Sequence, residues 1–328
     1  MPKNIKIIGV GSYLPEKILT NVDIEKIVDT TDEWITERTG IKERRIARKD
    51  QATSDLGIEA AKKALEDASV DPKELDLILV ATITPDMSFP STACIIQDKL
   101  GAENAAALDI SAACSGFVYG LVVCHSLICQ GQYKKVLLVA AETLSKITNW
   151  EDRGTCVLLG DGAGAVVVTS CDCENEGLLA SSLGAIGSAG KLLYLPAGGS
   201  RNPATHETID EKMHYLRMQG NELFKVAVKS LVDAAKDVMQ KAKVTSEDIA
   251  LFIPHQANVR IINATAKRVG IPKEKVFINV NKYGNTSAAT IPIALNEALR
   301  AGRIKKGDLI LLDAFGGGLT WGAVLLRW

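Results

Sequence analysis

Short apolar runs alternate with stretches of helical length along most of the chain. The runs at 6–10, 75–82, 105–110, 136–141 and 165–169 read as strands, those at 75–82 and 105–110 as buried ones. Later runs at 249–253, 276–279, 309–314 and 320–326 read the same way. Between them, 54–68, 92–100, 117–129, 221–242, 259–269 and a segment ending at Arg300 carry helical patterns. A short helix is expected behind Thr30 and Glu33, which have capping-box spacing, and stops at Thr39-Gly40. Asp71-Pro72 breaks the helix at 54–68, and Gly160-Asp161-Gly162-Ala163-Gly164 turns into the strand at 165–169. Strands alternating with helices predict an α/β fold with mostly parallel sheets covered by helices.

The order of elements repeats. Gly131-Gln132-Tyr133-Lys134-Lys135 aligns with Gly302-Arg303-Ile304-Lys305-Lys306 at an offset of 302 − 131 = 171. At that offset Cys114 falls on Asn285. A repeat of this length predicts two fused copies of one unit, residues 1–173 and 174–328, about a pseudo-twofold axis. Ligands of such sheets bind at the carboxyl ends of the strands.

Composition narrows the function. The 328 residues are 47% hydrophobic and 23% charged, a globular balance, and the formal net charge of −1 argues against a general nucleic-acid binder. No apolar stretch reaches the roughly 18 residues of a membrane span. The N-terminus lacks a secretory signal pattern, and the 7 scattered cysteines fit a reducing compartment, so a cytoplasmic location is expected. Cys171 and Cys173 form C-x-C without a second pair at zinc spacing, so no metal is expected.

Three strand-to-helix turns offer chemistry. Cys114 lies where an apolar strand passes through small residues into a helix, where free N–H groups favour a thiolate. A buried structural cysteine is the other reading of that position. His255 alone among the four histidines follows a core strand directly; a helix-capping or core histidine is its alternative. Asn285 occupies a third such turn. The Gly316-Gly317-Gly318 turn offers backbone N–H groups suited to an oxyanion hole, or a tight turn between strands, or both.

With these stretches in view, the chain resembles β-ketoacyl-acyl carrier protein synthase III, the initiating condensing enzyme of dissociated fatty-acid synthesis, over essentially its whole length. The resemblance rests on Thr31-Asp32-Glu33-Trp34-Ile35 with Arg38-Thr39-Gly40, Ala112-Ala113-Cys114-Ser115-Gly116-Phe117, Asp152-Arg153-Gly154-Thr155 and the Gly160 to Ala165 run. It rests equally on His255-Gln256-Ala257-Asn258, Tyr283-Gly284-Asn285-Thr286-Ser287 and the Gly316 turn. It implies a thiolase-like fold, a homodimer, and Cys114, His255 and Asn285 as catalytic residues, with the N–H groups of Cys114 and Gly318 as oxyanion hole. Acetyl-CoA or another short acyl-CoA and malonyl-acyl carrier protein would be the substrates, with no further cofactor.

The resemblance also assigns binding positions. Trp34 and Arg153 would sandwich the CoA adenine, and Arg38 would meet its phosphate. Phe89 would cross a dimer interface to close the partner's acyl pocket. Lys225, Gln256, Arg260, Lys267 and Arg268 would dock the acidic carrier protein, although an ordinary solvated basic face accounts for the charge alone. A thiolase would need a cysteine at the Gly316 turn, and none is there. A nucleotide site at Gly160 to Gly164 fits neither G-x-x-x-x-G-K-[ST] nor G-x-G-x-x-G.

Overall fold

The apolar runs become central strands because each sheet has helices on both faces. The protein is described here by a computed structural model covering residues 4–172 and 176–328; Cys173 and the expected boundary at 173/174 lie outside the described residues. The first sheet contains β1 (Asn4–Tyr13), β2 (Leu77–Ala81), β3 (Ala106–Ile110), β4 (Lys135–Thr143) and β5 (Asp161–Cys171), in the order β1-β5-β4-β2-β3. The second contains β6 (Gly177–Ala185), β7 (Leu251–Pro254), β8 (Leu309–Gly316) and β9 (Thr320–Arg327), in the order β6-β9-β8-β7. In the first, β2 is parallel to β3 and β4, while β5 is antiparallel to β1 and β4. In the second, β7 is parallel to β8, and β9 is antiparallel to β8 and β6. The two sheets share one topology.

The helices make three layers around them. Outside the first sheet lie α2 (Thr53–Ala68) and α3 (Thr92–Leu100); outside the second lie α5 (Gly220–Ala242) and α6 (Val259–Val269). Between the sheets lie α4 (Gly116–Cys129) and α7 (Thr290–Arg300). Strand alternation distributes the contacts. Leu77, Leu79 and Ala81 face the central helices, and Ile78 and Val80 face the outer ones. Helix α4 is apolar almost all round because it is covered on both sides. Its Phe117, Val118, Leu121 and Ile128 are fully buried, each contributing about 1.5–3 kcal/mol of transfer free energy.

The repeat is real, but its register differs from the sequence alignment. Leu77 pairs with Val136 and Leu251 with Ile310, so 251 − 77 = 174 and 310 − 136 = 174. The central helices start at Gly116 and Thr290, again 174 apart, and end at Cys129 and Arg300, 171 apart. Helix α7 is simply shorter than α4, with 11 residues against 14. The left-handed residues Ala113 (φ 46°) and Ser287 (φ 51°) also match at 287 − 113 = 174. Cys114 therefore corresponds to Ala288, not to Asn285.

Other expectations need correction. The short helix α1 (Asp32–Thr39) is capped by Thr31, whose hydroxyl accepts from Trp34 N–H at 3.1 Å, and not by Thr30. Strand β3 is an edge strand with Leu108 41% exposed, because nothing among the described residues pairs with its free side. The run at 276–279 reduces to a bridge between Val276 and Phe252. Beyond it, Gln256 Oε1 accepts from Asn279 and Val280 N–H, so a side chain takes the place of a strand ladder. The glycine run after Gly160 lies within β5 itself, where Gly164 admits Pro292 of α7. Strand β6 and the irregular cap at 186–219 carry no strong pattern in the sequence. Among the described residues five cysteines are free, whereas Cys171 is disulfide-bonded, against the expectation of a wholly reduced set.

Candidate active site

The two central helices aim their N-terminal turns at one cavity of about 460 Å³, lined by Cys114, His255, Asn285, Ser287, Phe315, Gly317 and Gly318 among others. Cys114 sits in the 3-10 turn Ala113–Ser115 that leads into α4. The β8–β9 turn holds this loop from the other half. Thr320 Oγ1 donates to Ala112 O (2.8 Å), and Ser115 Oγ donates to Thr320 O (3.0 Å). Gly316 has to be glycine: a Cβ there would lie 2.5 Å from Cys114 N and 3.0 Å from Cys114 Cβ. The turn is thus both a tight connection and a side-chain-free wall beside the nucleophile position.

His255 follows β7 and is 6% exposed. Its own N–H donates to Asp313 O (2.8 Å), which fixes the ring's entry into the cavity. Nδ1 lies 2.7 Å from Thr290 Oγ1, and that hydroxyl also lies 3.0 Å from Ser287 O. Thr290 has one hydroxyl proton. Given to Nδ1, it leaves the ring proton on Nε2, facing substrate as a donor; given to Ser287 O, it leaves Nε2 an acceptor. Burial pushes the imidazole down to about 3, so the ring is neutral at physiological pH.

Asn285 is oriented by its neighbour. Ser287 N–H donates to Asn285 Oδ1 (2.8 Å), which turns the Nδ2 amide group away as the free donor. The backbone is tied across to the first half, with Asn285 N–H donating to Leu158 O (2.8 Å) and Gly160 N–H donating to Asn285 O (3.0 Å). Burial pushes the Cys114 thiol up to about 12, opposed by a hydrogen bond with Ser287.

A second pocket, about 550 Å³, opens on the surface and shares Leu158, Gly220, Phe224 and Asn258 with the inner cavity. Trp34, Arg38, Arg153, Lys225 and Arg260 line this mouth. The Arg38 and Arg153 guanidinium carbons each lie 4.9 Å from the Trp34 ring centroid. In this arrangement a guanidinium occupies the contact with the indole that a purine would need, so a sandwiched base requires Arg153 to swing aside.

The remaining sequence-derived residues are spread out. Lys267 and Arg268 are exposed on α6 with Arg260, and Lys225 is exposed on α5. Gln256 does not belong with them. It is 1% exposed, and its Nε2 donates to Pro254 O and Phe277 O while Oε1 accepts two backbone N–H groups. It braces the His255 turn from inside and presents nothing to a docking protein. Phe89 is 84% exposed and outside the cavity lining of its own chain. Ser287, Thr290 and Glu142 were missed by sequence reasoning. Glu142 left one signal, a carboxylate at the end of the apolar run at 136–141.

A cysteine at a helix N-terminus, a neutral histidine and an amide donor on a duplicated five-layer α/β scaffold define an acyl-transferring condensing enzyme with a thiolase-like fold. Sequence models described as 3-Oxoacyl-[acyl-carrier-protein (ACP)] synthase III match residues 108–187, and its C-terminal model matches 239–328. The chain is 60% identical to the beta-ketoacyl-[acyl-carrier-protein] synthase III of Caldanaerobacter subterraneus subsp. tengcongensis, over 98% of this chain and 97% of that one. The crystal structure of 3-oxoacyl-[acyl-carrier-protein] synthase III from Aquifex aeolicus VF5 is 56% identical and superimposes with a TM-score of 0.91, covering 99% of this chain and all of that one. The priming beta-ketosynthase of the R1128 polyketide biosynthetic pathway is 35% identical with a TM-score of 0.91, covering 100% of this chain and 98% of that one. The chain belongs to the β-ketoacyl-acyl carrier protein synthase III family.

Proposed function

We propose that this enzyme starts fatty-acid chains by condensing a short acyl-CoA, acetyl-CoA first among them, with malonyl-acyl carrier protein. The observation that carries this reading is the single cavity lined by Cys114, His255 and Asn285 and joined to a basic, tryptophan-lined mouth. The Cys114 sulfur attacks the thioester carbonyl, and the N–H groups of Cys114 and Gly318 hold the tetrahedral oxyanion. The carbon–sulfur bond to CoA breaks, leaving an acyl-enzyme. Malonyl thioester then enters. Its carboxylate leaves as CO₂, and its bond pair becomes an enolate whose oxygen accepts hydrogen bonds from His255 Nε2–H and Asn285 Nδ2. The enolate carbon attacks the acyl-cysteine, releasing a 3-oxoacyl-carrier product and the Cys114 thiolate. Decarboxylation generates the nucleophile, so neither a strong base nor a cofactor is needed. The donor role of His255 calls for the Thr290 proton to lie on the Nδ1 side.

Trp34, Arg38 and Arg153 hold the CoA nucleotide in this scheme. Lys225, Arg260, Lys267 and Arg268 meet the carrier protein. A second copy of the chain covers Phe89 and the exposed edge of β3 to form a homodimer, and residues 1–173 and 174–328 are the two fused halves. No helix among the described residues is long and apolar enough to cross a membrane, and a cytoplasmic enzyme fits that.

Two variants test the assignment. Cys114→Ala loses acyl transfer yet still decarboxylates malonyl thioester. Asn285→Ala still accepts the acyl group but condenses about 10²–10³-fold more slowly, the usual loss for one oxyanion donor. Condensation by Asn285→Ala at the unaltered rate would falsify its role at the enolate.

A further inference from the structure

Behind Cys114 lies a carboxyl group that the reaction above does not use. Glu142, at the end of β4, is fully buried. It accepts hydrogen bonds from Ile83 N–H, Thr84 N–H, Thr82 Oγ1 and Thr84 Oγ1 of the segment after β2. From the other half of the molecule, Ser287 Oγ donates to Glu142 Oε1 at 3.0 Å. Ser287 and Cys114 line the same cavity, and the Ser287 hydroxyl counteracts the rise that burial imposes on the thiol. The hydrogen-bonded hydroxyl and carboxylate therefore lead from the nucleophile's cavity into the interior.

We infer that Glu142 is a positioning residue that stores the Cys114 proton, exchanging it through the Ser287 hydroxyl. This rests on Cys114 being the acylated nucleophile. In the first half-reaction the S–H proton passes to Ser287 Oγ as the Ser287 proton passes to Glu142. The new sulfur–carbon bond forms, and CoA leaves as a thiolate that takes its proton from solvent. In the second, attack by the enolate breaks the acyl–sulfur bond and leaves the electron pair on Cys114. The Glu142 proton then returns along the same hydroxyl, restoring thiol and carboxylate. No oxidant, metal or further reactant enters.

The surroundings suit a stored proton. The donors from the β2 segment hold the carboxylate form in place, while burial pushes the Glu142 carboxyl up to about 7. The ionised Glu142 is one of the causes that raise the Cys114 thiol, after burial itself, so the pair resists losing both protons. Other ionisable groups on the adjoining elements are engaged elsewhere. Asp86 is tied to Ser54, and Asp161 to Ala47 and Ser145. Helix α2 presents the Thr53 hydroxyl to Thr84 and Thr143, and the buried His255 ring is neutral.

The test is the rate of Cys114 acetylation by acetyl-CoA, read by rapid quench and mass spectrometry across a pH series. It compares the unaltered protein with Glu142→Gln, Glu142→Asp and Ser287→Ala. Acetylation of the unaltered protein rises with pH through a limb near neutrality, as Glu142 becomes able to accept. Glu142→Gln and Ser287→Ala acetylate about 10²-fold more slowly at neutral pH, the lower range for a lost proton acceptor, and their limbs move to alkaline pH. Glu142→Asp restores a limb near neutrality. Circular dichroism checks folding, and Ser287→Ala carries the test alone if Glu142→Gln does not fold. An unchanged limb and rate in Ser287→Ala overturns the store. Absence of a covalent acyl label on the unaltered protein from any short acyl-CoA instead rejects the nucleophile assignment, and the store with it.

Discussion

Asn285 shows how a residue type becomes a function only when its neighbours fix its orientation. Its amide could point either end into the cavity; the Ser287 N–H bond to Oδ1 leaves the donor end free. Cys114, His255 and Asn285 were legible in the sequence because each lies in a short turn between an apolar run and a helical stretch, where strand ends open on ligand sites. Ser287 and Glu142 were not. They lie 145 positions apart, and only the packing of one half against the other brings them together. Asp313 was equally silent within its apolar run. It is fully buried with neither carboxyl oxygen hydrogen-bonded among the described residues, and burial raises its carboxyl well above the usual range. The folded chain therefore keeps a proton that the unfolded chain releases above about pH 4, so this residue costs stability as pH rises. Asp313→Asn removes that dependence. Urea midpoints should shift progressively in the variant's favour from acid to neutral pH, and a constant difference would contradict the assignment.

The elements most legible in the sequence are those with both faces covered. Strands β2 and β4 and helix α4 carry nearly continuous apolar runs, and β8 one interrupted by Asp313, because sheets and helices cover most of their surface. Their bounds lie within a few residues of those read from the chain. Strand β6 and the cap at 186–219 escaped because their mixed composition has no clear period, and β3 looked buried although one edge is open. The cross-half alignment erred for a local reason, the shorter α7, which shifts the offset from 174 to 171 within a single helix. Close packing of α2 on β1 supplies a check on the layered arrangement. A Cβ at Gly11 would lie 2.3 Å from Ala60 O and 2.4 Å from Ala64 N, both backbone atoms that cannot turn aside. Gly11→Ala should cost about 1–3 kcal/mol in denaturant unfolding, as overpacking does. An unchanged midpoint would mean that α2 sits farther from the sheet.

In the whole molecule, the duplication places one functional turn from the first half against two from the second. The outer basic mouth and the inner apolar cavity share a wall, so a long thioester can bind by its charged end and react at its far end. Formal charge is near balance overall, yet Lys225 and Arg260 line this opening, and Lys267 and Arg268 are exposed farther along α6. Charge reversal at Lys267 and Arg268, which line neither the cavity nor its mouth, should raise KM for malonyl-acyl carrier protein, leave acetylation by acetyl-CoA nearly unchanged, and weaken the salt dependence of the second half-reaction. Equal loss in both half-reactions would place these residues in the active cavity instead. The most direct measurement is intact and peptide mass spectrometry after incubation with acetyl-CoA alone. One acetyl group on the Cys114 peptide, discharged as a 3-oxoacyl product when malonyl-acyl carrier protein is added, is the expected result. A label on another residue, or no covalent acyl-enzyme from any acyl-CoA, would contradict the account.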